Sequence, residues 1–308
     1  MKPVKASSLQ KCPKCGFARP TTTRECRQCG LIFAKYQSRP AAGMLLDGSE
    51  PAANPPAAGW RTSRIWKWLL ALCLVLLGAS YFLKDRLPDP SDVVEALYQE
   101  PVQTPTQAAP FQVKTGDHSY TITPLFQYEL HGLVVSLHHS GSWWDIYHKA
   151  WQDYLNIKDL CVVWGDNIDS GVYTRMKFKS GSWTCWYQWP DRETGALFDN
   201  AGLSNNHLLA DHGEINRQIM AASIGDQVYF KGYLAEYAND ATDFQRGTST
   251  TRTDTGNGAC ETVYIDDFRI LKRANSLWKM IFRHGWWVAA ACLVLWIVSA
   301  VREPYRGK

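Results

Sequence analysis

The chain has 308 residues, with 33 basic and 29 acidic side chains and a formal net charge of +4. This length accommodates one or two folded units of about 100 to 200 residues, and a charge so close to balance names no partner by itself. The hydrophobic fraction of 45% and charged fraction of 20% exclude disorder throughout, and a mean hydropathy of −0.28 excludes a polytopic transporter.

Residues 1–36 contain two CxxC knuckles, Cys12 and Cys15 in CPKCG and Cys26 and Cys29 in CRQCG, each followed by a glycine, Gly16 and Gly30. Each knuckle aims two sulfurs at one point, and its glycine permits the positive φ that turns backbone amides toward the thiolates. Four thiolates in this spacing suit tetrahedral Zn²⁺, with a redox dithiol or a rubredoxin-like iron site as rivals. A closed four-sulfur shell leaves no position for water, so the expectation is one structural zinc in a zinc ribbon. Lys11, Lys14, Arg19, Arg24 and Arg27 give the ribbon a basic face suited to an acidic partner or to anionic headgroups.

Residues 37–64 are rich in Ala and Pro, without apolar periodicity, and read as a tether. Residues 65–83, IWKWLLALCLVLLGASYFL, approach the roughly 30 Å of a bilayer core at about 1.5 Å per residue, which predicts a membrane span. In residues 84–110, Asp89 to Glu100 predicts a short amphipathic helix with Val93, Ala96 and Leu97 on one face, ended by Pro101. A second span is predicted over residues 281–301, built on WWVAAACLVLWIVSAV, and residues 302–308 form a tail.

Between the spans, residues 111–272 read as mainly β. Tyr128–His138 and Leu160–Trp164 are the first two predicted strands, and the alternation of Trp183, Cys185, Tyr187 and Trp189 makes a third. A helix is predicted from Asp211, its carboxylate capping the first turn, with Ile215, Ile219 and Ala222 on the buried face. After a Gly225-Asp226 turn come strands Gln227–Tyr237 and Val263–Leu271, the latter slipping phase at Asp266 and Asp267 as a β-bulge would. Three strands, a helix and two strands are the order of an OB-type small barrel, which this segment resembles, apart from long insertions at Ser140–Asn156 and Ala238–Ala259.

Charge divides across the partition, with 11 basic and 3 acidic side chains in residues 1–64 against 17 and 25 in residues 84–280. The basic residues flanking the spans are evenly split, so the positive-inside count does not set orientation. Thiolate metal sites assemble in reducing compartments, which places the amino terminus in the cytosol. Two spans then return the carboxyl terminus to the cytosol and leave residues 84–280 outside. There Cys161, Cys185 and Cys260 allow one disulfide and one free thiol, with the pair undetermined.

The arrangement is similar to an uncharacterised family of bacterial inner-membrane proteins. The resemblance is carried by the CPKC and CRQC ribbon, ELHGLVVS at 129–136, SWWDIYHKAWQDYLNIKDLCVVWGDNI at 142–168 and RGTSTTRTDTGNGACETVYIDDFRIL at 246–271. It implies the zinc ribbon, the extracytoplasmic OB-like domain and an inner-membrane location, and no catalytic residue.

Candidate ligand contacts are Trp143 and Trp144, as an aromatic platform, and Arg246 and Arg252, in a Thr- and Gly-rich segment suited to an anion. Nucleic acid is disfavoured, because it binds basic surfaces and this segment is acidic. His138, His139 and His148, and His207, Asp211, His212 and Glu214, are possible second metal groups, more simply read as surface residues and a helix cap. Asp266, Asp267 and Glu261 read as solvated strand-edge carboxylates. A binding or scaffolding protein with a protein partner is therefore expected. The alternative is an envelope hydrolase or transferase acting on glycan or lipid.

Overall fold

The computed structural model describes residues 9–35, 59–142, 145–254 and 259–302, and the chain divides into two compact units, Met1–Ala57 and Ala58–Lys308. Most of the expected tether, Trp143 and Trp144, and all but the first residue of the tail lie outside the described residues.

In the first unit, strands β1 (Leu9–Lys11) and β2 (Ala18–Pro20) pair antiparallel. A single bridge joins Glu25 to Ile32 ahead of a 3₁₀ turn at Phe33–Lys35. Cys12 and Cys26 are buried, while Leu9, Phe17 and Ile32 are exposed. So small a unit buries little apolar surface.

The second unit holds two helices long and apolar enough to cross a membrane, α1 (Gly59–Leu83) and, last in the chain, α6 (Ser276–Arg302). Both extend past the expected spans. They pack on each other at Gly285, where a Cβ would lie 2.9 Å from Leu77, and at Tyr81 and Phe282, whose rings are 6.3 Å apart. The connection leaving α1 is tied to the approach to α6. Asn275 Nδ2 donates to the carbonyls of Lys84 and Arg86, and Lys279 Nζ reaches Asp226 Oδ1 at 2.8 Å. The helix expected over Asp89–Glu100 is two 3₁₀ turns, Pro90–Asp92 and Glu95–Tyr98, which still bury Leu97.

The sheet begins with β3 (Val102–Pro105) and β4 (Phe111–Thr115), both paired to the 22-residue β5 (His118–His139). Helix α2 (Ile146–Ala150) leads to β6 (Asn156–Val163), and α3 (Asp166–Asp169) to the hairpin β7 (Lys177–Gly181) and β8 (Thr184–Gln188). Then follow α4 (Arg192–Leu197), β9 (Leu203–Leu209), α5 (Gly213–Ala221), β10 (Gln227–Asn239), β11 (Gln245–Arg246) and β12 (Glu261–Lys272).

β5 pairs with β6, β6 with β9, β9 with β12, β12 with β10, and β10 again with β5, so five strands close a ring of hydrogen-bonded neighbours. The β9–β12 pair is parallel and the other four are antiparallel. The expected bulge is present: Lys231 pairs with Asp267 and Gly232 with Ile265, which leaves Asp266 without a register partner. Gly232 is required there, because a Cβ would lie 1.9 Å from the Tyr264 carbonyl oxygen.

The third strand of the ring differs from the expected one. The alternating segment at Trp183–Trp189 contains β8, which among the described residues pairs only with β7, and the third strand of the ring is β9. β6 is buried on both faces: Leu160 and Val162 join one core cluster, while Cys161 and Val163 join another. A Cys161–Cys185 disulfide fastens the hairpin to that second face.

Helix α5 presents Ile219 and Ala222 to the first cluster. The buried Lys158 donates to the carbonyls of Ile219, Met220 and Ala222, satisfying acceptors that a helix C-terminus leaves free. The expected cap does not form. His212 occupies the N-cap position without a side-chain bond, and Asp211 instead accepts from the Tyr264 hydroxyl at 2.7 Å.

Candidate metal centre and candidate binding cavity

The four ribbon cysteines converge. Cys12 and Cys29 sulfurs are 3.8 Å apart, Cys15 and Cys26 sulfurs 3.6 Å, and all four lie within 4.8 Å of one another. A tetrahedral ion with metal–sulfur bonds of about 2.3 Å needs sulfurs about 3.8 Å apart, so the set can hold one metal ion. Gly16 and Gly30 have φ of 74° and 68°, and their amides donate at 2.9 Å to the carbonyls of Cys12 and Cys26. These are the positive-φ positions the sequence requires. Among the described residues this is the one group of His, Cys, Asp and Glu with metal-ligand geometry.

The second unit has a cavity of about 610 Å³ lined by residues of β8, β9, β11 and the start of β12. Arg246 and Arg252, expected as ligand contacts, both line it. Trp151, Trp183, Trp186 and Glu261, which were not expected there, line it too. Trp183 follows Ser180-Gly181-Ser182 at the β7–β8 turn and adopts φ 68°, a strained conformation for a bulky residue. Its ring stacks on His148 with centroids 4.0 Å apart, and the Arg246 guanidinium carbon lies over the same ring, 3.9 Å from its centroid. Those two contacts hold the indole at the cavity wall.

Behind Trp183 runs a buried polar chain. Asp145 caps α2, accepting from the amides of Tyr147 and His148, and its carboxylate also lies 2.7 Å from His138 Nε2 and from His148 Nδ1. Asn156 Nδ2 lies 3.1 Å from His148 Nε2 and donates to Asp159 Oδ1 at 2.9 Å. His207 Nδ1 lies 2.6 Å from Asp159, and its Nε2 lies 2.6 Å from Arg246 Nη2. His148 and His207 are thus buried partners in a network, not the surface residues expected.

Burial lowers the pKa of His207, which favours the neutral ring. Burial acts to raise the Asp159 pKa, but His207 and Asn156 outweigh it and hold the carboxyl below its ordinary range. Glu261 was expected at a solvated edge and is instead buried, where it accepts from the Ser204 hydroxyl. Desolvation pushes its carboxyl up to about 7, so it titrates near neutrality. Cys260 is a free thiol beside it, its pKa raised by burial.

Comparisons with protein-family models, with curated proteins and with solved structures gave no match.

Proposed function

We propose that this chain is a binding or scaffolding protein of the bacterial inner membrane, with a cytosolic structural zinc ribbon and an extracytoplasmic β domain that docks an envelope component. One observation carries the reading: the state of the cysteines. Four thiols converge in the amino-terminal unit, whereas Cys161 and Cys185, between the two apolar helices, are joined as a disulfide. Thiolate metal sites belong to reducing compartments and structural disulfides to oxidising ones, so the two states support opposite sides of a membrane.

The same reading takes the metal as Zn²⁺ and the five-strand ring as an OB-type barrel. In support of the barrel, the ring runs first, second, third, fifth and fourth strand, its third and fifth strands are parallel, and α5 lies between the third and fourth. The ribbon's basic face, from Lys11, Lys14, Arg19, Arg24 and Arg27, is assigned to an acidic protein partner.

The alternative, an envelope hydrolase or transferase acting on glycan or lipid, draws on Glu261. A buried carboxyl with a pKa near 7 in an aromatic-walled cavity has the properties of a general acid.

Reporter fusions test the topology. Alkaline phosphatase fused after Ala238 is expected to be active, and a cytosolic reporter active at that position overturns the model.

A further inference from the structure

The cavity beside Trp183 combines three kinds of group. Aromatic faces come from Trp151 and Trp186, cationic donors from Arg246 and Arg252, and carboxyl groups from Asp254 and Glu261. Each kind constrains the occupant differently.

The donors are the most informative. Trp183 Nε1, Arg246 Nε and Arg252 Nε are buried N–H groups without a hydrogen-bond partner among the described residues. The remaining guanidinium contacts are only partly engaged. Arg246 Nη2 meets His207, and Arg252 Nη2 donates to the Pro101 carbonyl while its Nη1 lies 3.9 Å from Glu100. A buried donor left unmatched costs about 1 to 3 kcal/mol, so three on residues that line one cavity favour an acceptor-rich occupant over an apolar one.

The aromatic faces restrict its shape. Trp186 is 52% exposed and Trp151 43%, so both offer ring surface to an incoming molecule. Flat indole faces pack against the C–H face of a sugar ring while its rim stays free for hydrogen bonds. The carboxyl groups then exclude a multiply charged anion. A phosphate or polyphosphate drawn to the arginines would sit against Asp254 and Glu261, whereas sugar hydroxyls can donate to those oxygens. A volume of about 610 Å³ lies within the ordinary range for small-ligand sites and leaves room for a short oligosaccharide.

We infer that this cavity binds a short acidic oligosaccharide, its carboxylate held by Arg246 and Arg252 and its ring stacked on Trp151 or Trp186. The inference deepens the docking role proposed above by naming the class of envelope component. The strained backbone at Trp183 is consistent with a ligand clamp, since bulky side chains are held in left-handed conformations mainly where surrounding contacts impose them.

The test uses the full chain in detergent, titrated with 3′-sialyllactose, a short oligosaccharide with a single carboxylate, and, separately, with its methyl ester. Binding is followed by tryptophan fluorescence and calorimetry. Saturable binding of the acid at one per chain is expected, weakened about tenfold or more for the ester, because a charge-assisted contact is lost. Trp186→Ala and Arg252→Gln should each weaken binding of the acid about tenfold, the first with the thermal unfolding midpoint unchanged. Trp186 is chosen because its exposure makes a folding defect avoidable. Equal affinity for acid and ester, tighter binding of tripolyphosphate, binding indifferent to both variants, or no saturable binding at millimolar concentration would each overturn the inference. Sidedness does not enter a detergent titration, so a failed topology leaves this result standing, and a failed titration leaves the topology standing.

Discussion

Arg246 Nη2 lies 2.6 Å from Nε2 of His207, a residue 39 positions earlier in the chain. Arginine only donates, so Nε2 must accept and the ring proton must sit on Nδ1, facing Asp159 at 2.6 Å. The histidine is thereby fixed as a neutral bridge between a cation at the cavity and a carboxylate in the interior. His207→Ala removes that bridge and leaves Asp159 without its closest partner. A cost of about 3 kcal/mol or more is expected in chemical unfolding, as for other broken buried charge networks. A variant as stable as the parent would show that the chain carries no structural load.

Two buried groups give opposite pH dependences. Glu261 is raised from an ordinary value of 4.5 to about 7 in the folded protein. Its contribution to stability is therefore fully present below about pH 4.5 and is lost as pH rises through about 7. His207 is lowered from 6.5, so the folded state resists its protonation and stability falls with acidification below that value. Comparing the parent with Glu261→Gln separates the two. The variant should lack the loss of stability between about pH 4.5 and 7 while keeping the acid-side loss, as read from urea midpoints across that range. A variant whose midpoints track those of the parent would show that Glu261 ionises normally.

The Cys161–Cys185 disulfide closes a loop across a sequence separation of 24. Loop-closure entropy for such a length corresponds to about 3 to 4 kcal/mol. The double variant Cys161→Ala, Cys185→Ala should unfold at a correspondingly lower denaturant concentration, and reductant should lower the parent's midpoint while leaving the variant's unchanged. Peptide mapping of the oxidised chain should find Cys260 alkylated and the other two cysteines linked. A link that includes Cys260 would contradict the pairing.

Legibility tracked the reach of the interactions. Gln227–Tyr237 and the bulge at Asp266 were readable because each strand's alternation is a local property. β9 was not. Its Asn205, Asn206 and His207 are polar yet buried, with Asn206 Nδ2 directed to the Leu160 and Ser204 carbonyls and His207 to Asp159. A pattern reading assigns such residues to the surface. The alternation at Trp183–Trp189 was real, but it belongs to a hairpin fastened from outside by the disulfide. Arg246 and Arg252 stood out through the unusual composition of their segment. Trp183, His207 and Glu261 did not, because only long-range strand pairing brings them together.

The metal centre yields the most local prediction. Cys12 and Cys26 are the buried residues among the described part of a ribbon whose Leu9 is 68% exposed, so metal ligation should supply much of its folding free energy. The intact chain purified under reducing conditions is expected to contain one zinc per chain by elemental analysis. Cys26→Ser should reduce that content severely, since a hydroxyl replaces a soft anionic ligand and opens a coordination position to water. Chelation should collapse the amide spectrum of residues 9–35 while leaving the Ala58–Lys308 unit folded. Iron in place of zinc would change the assigned metal, and a metal-free chain that keeps the ribbon's spectrum would remove both the metal site and the argument that places the amino terminus in the cytosol.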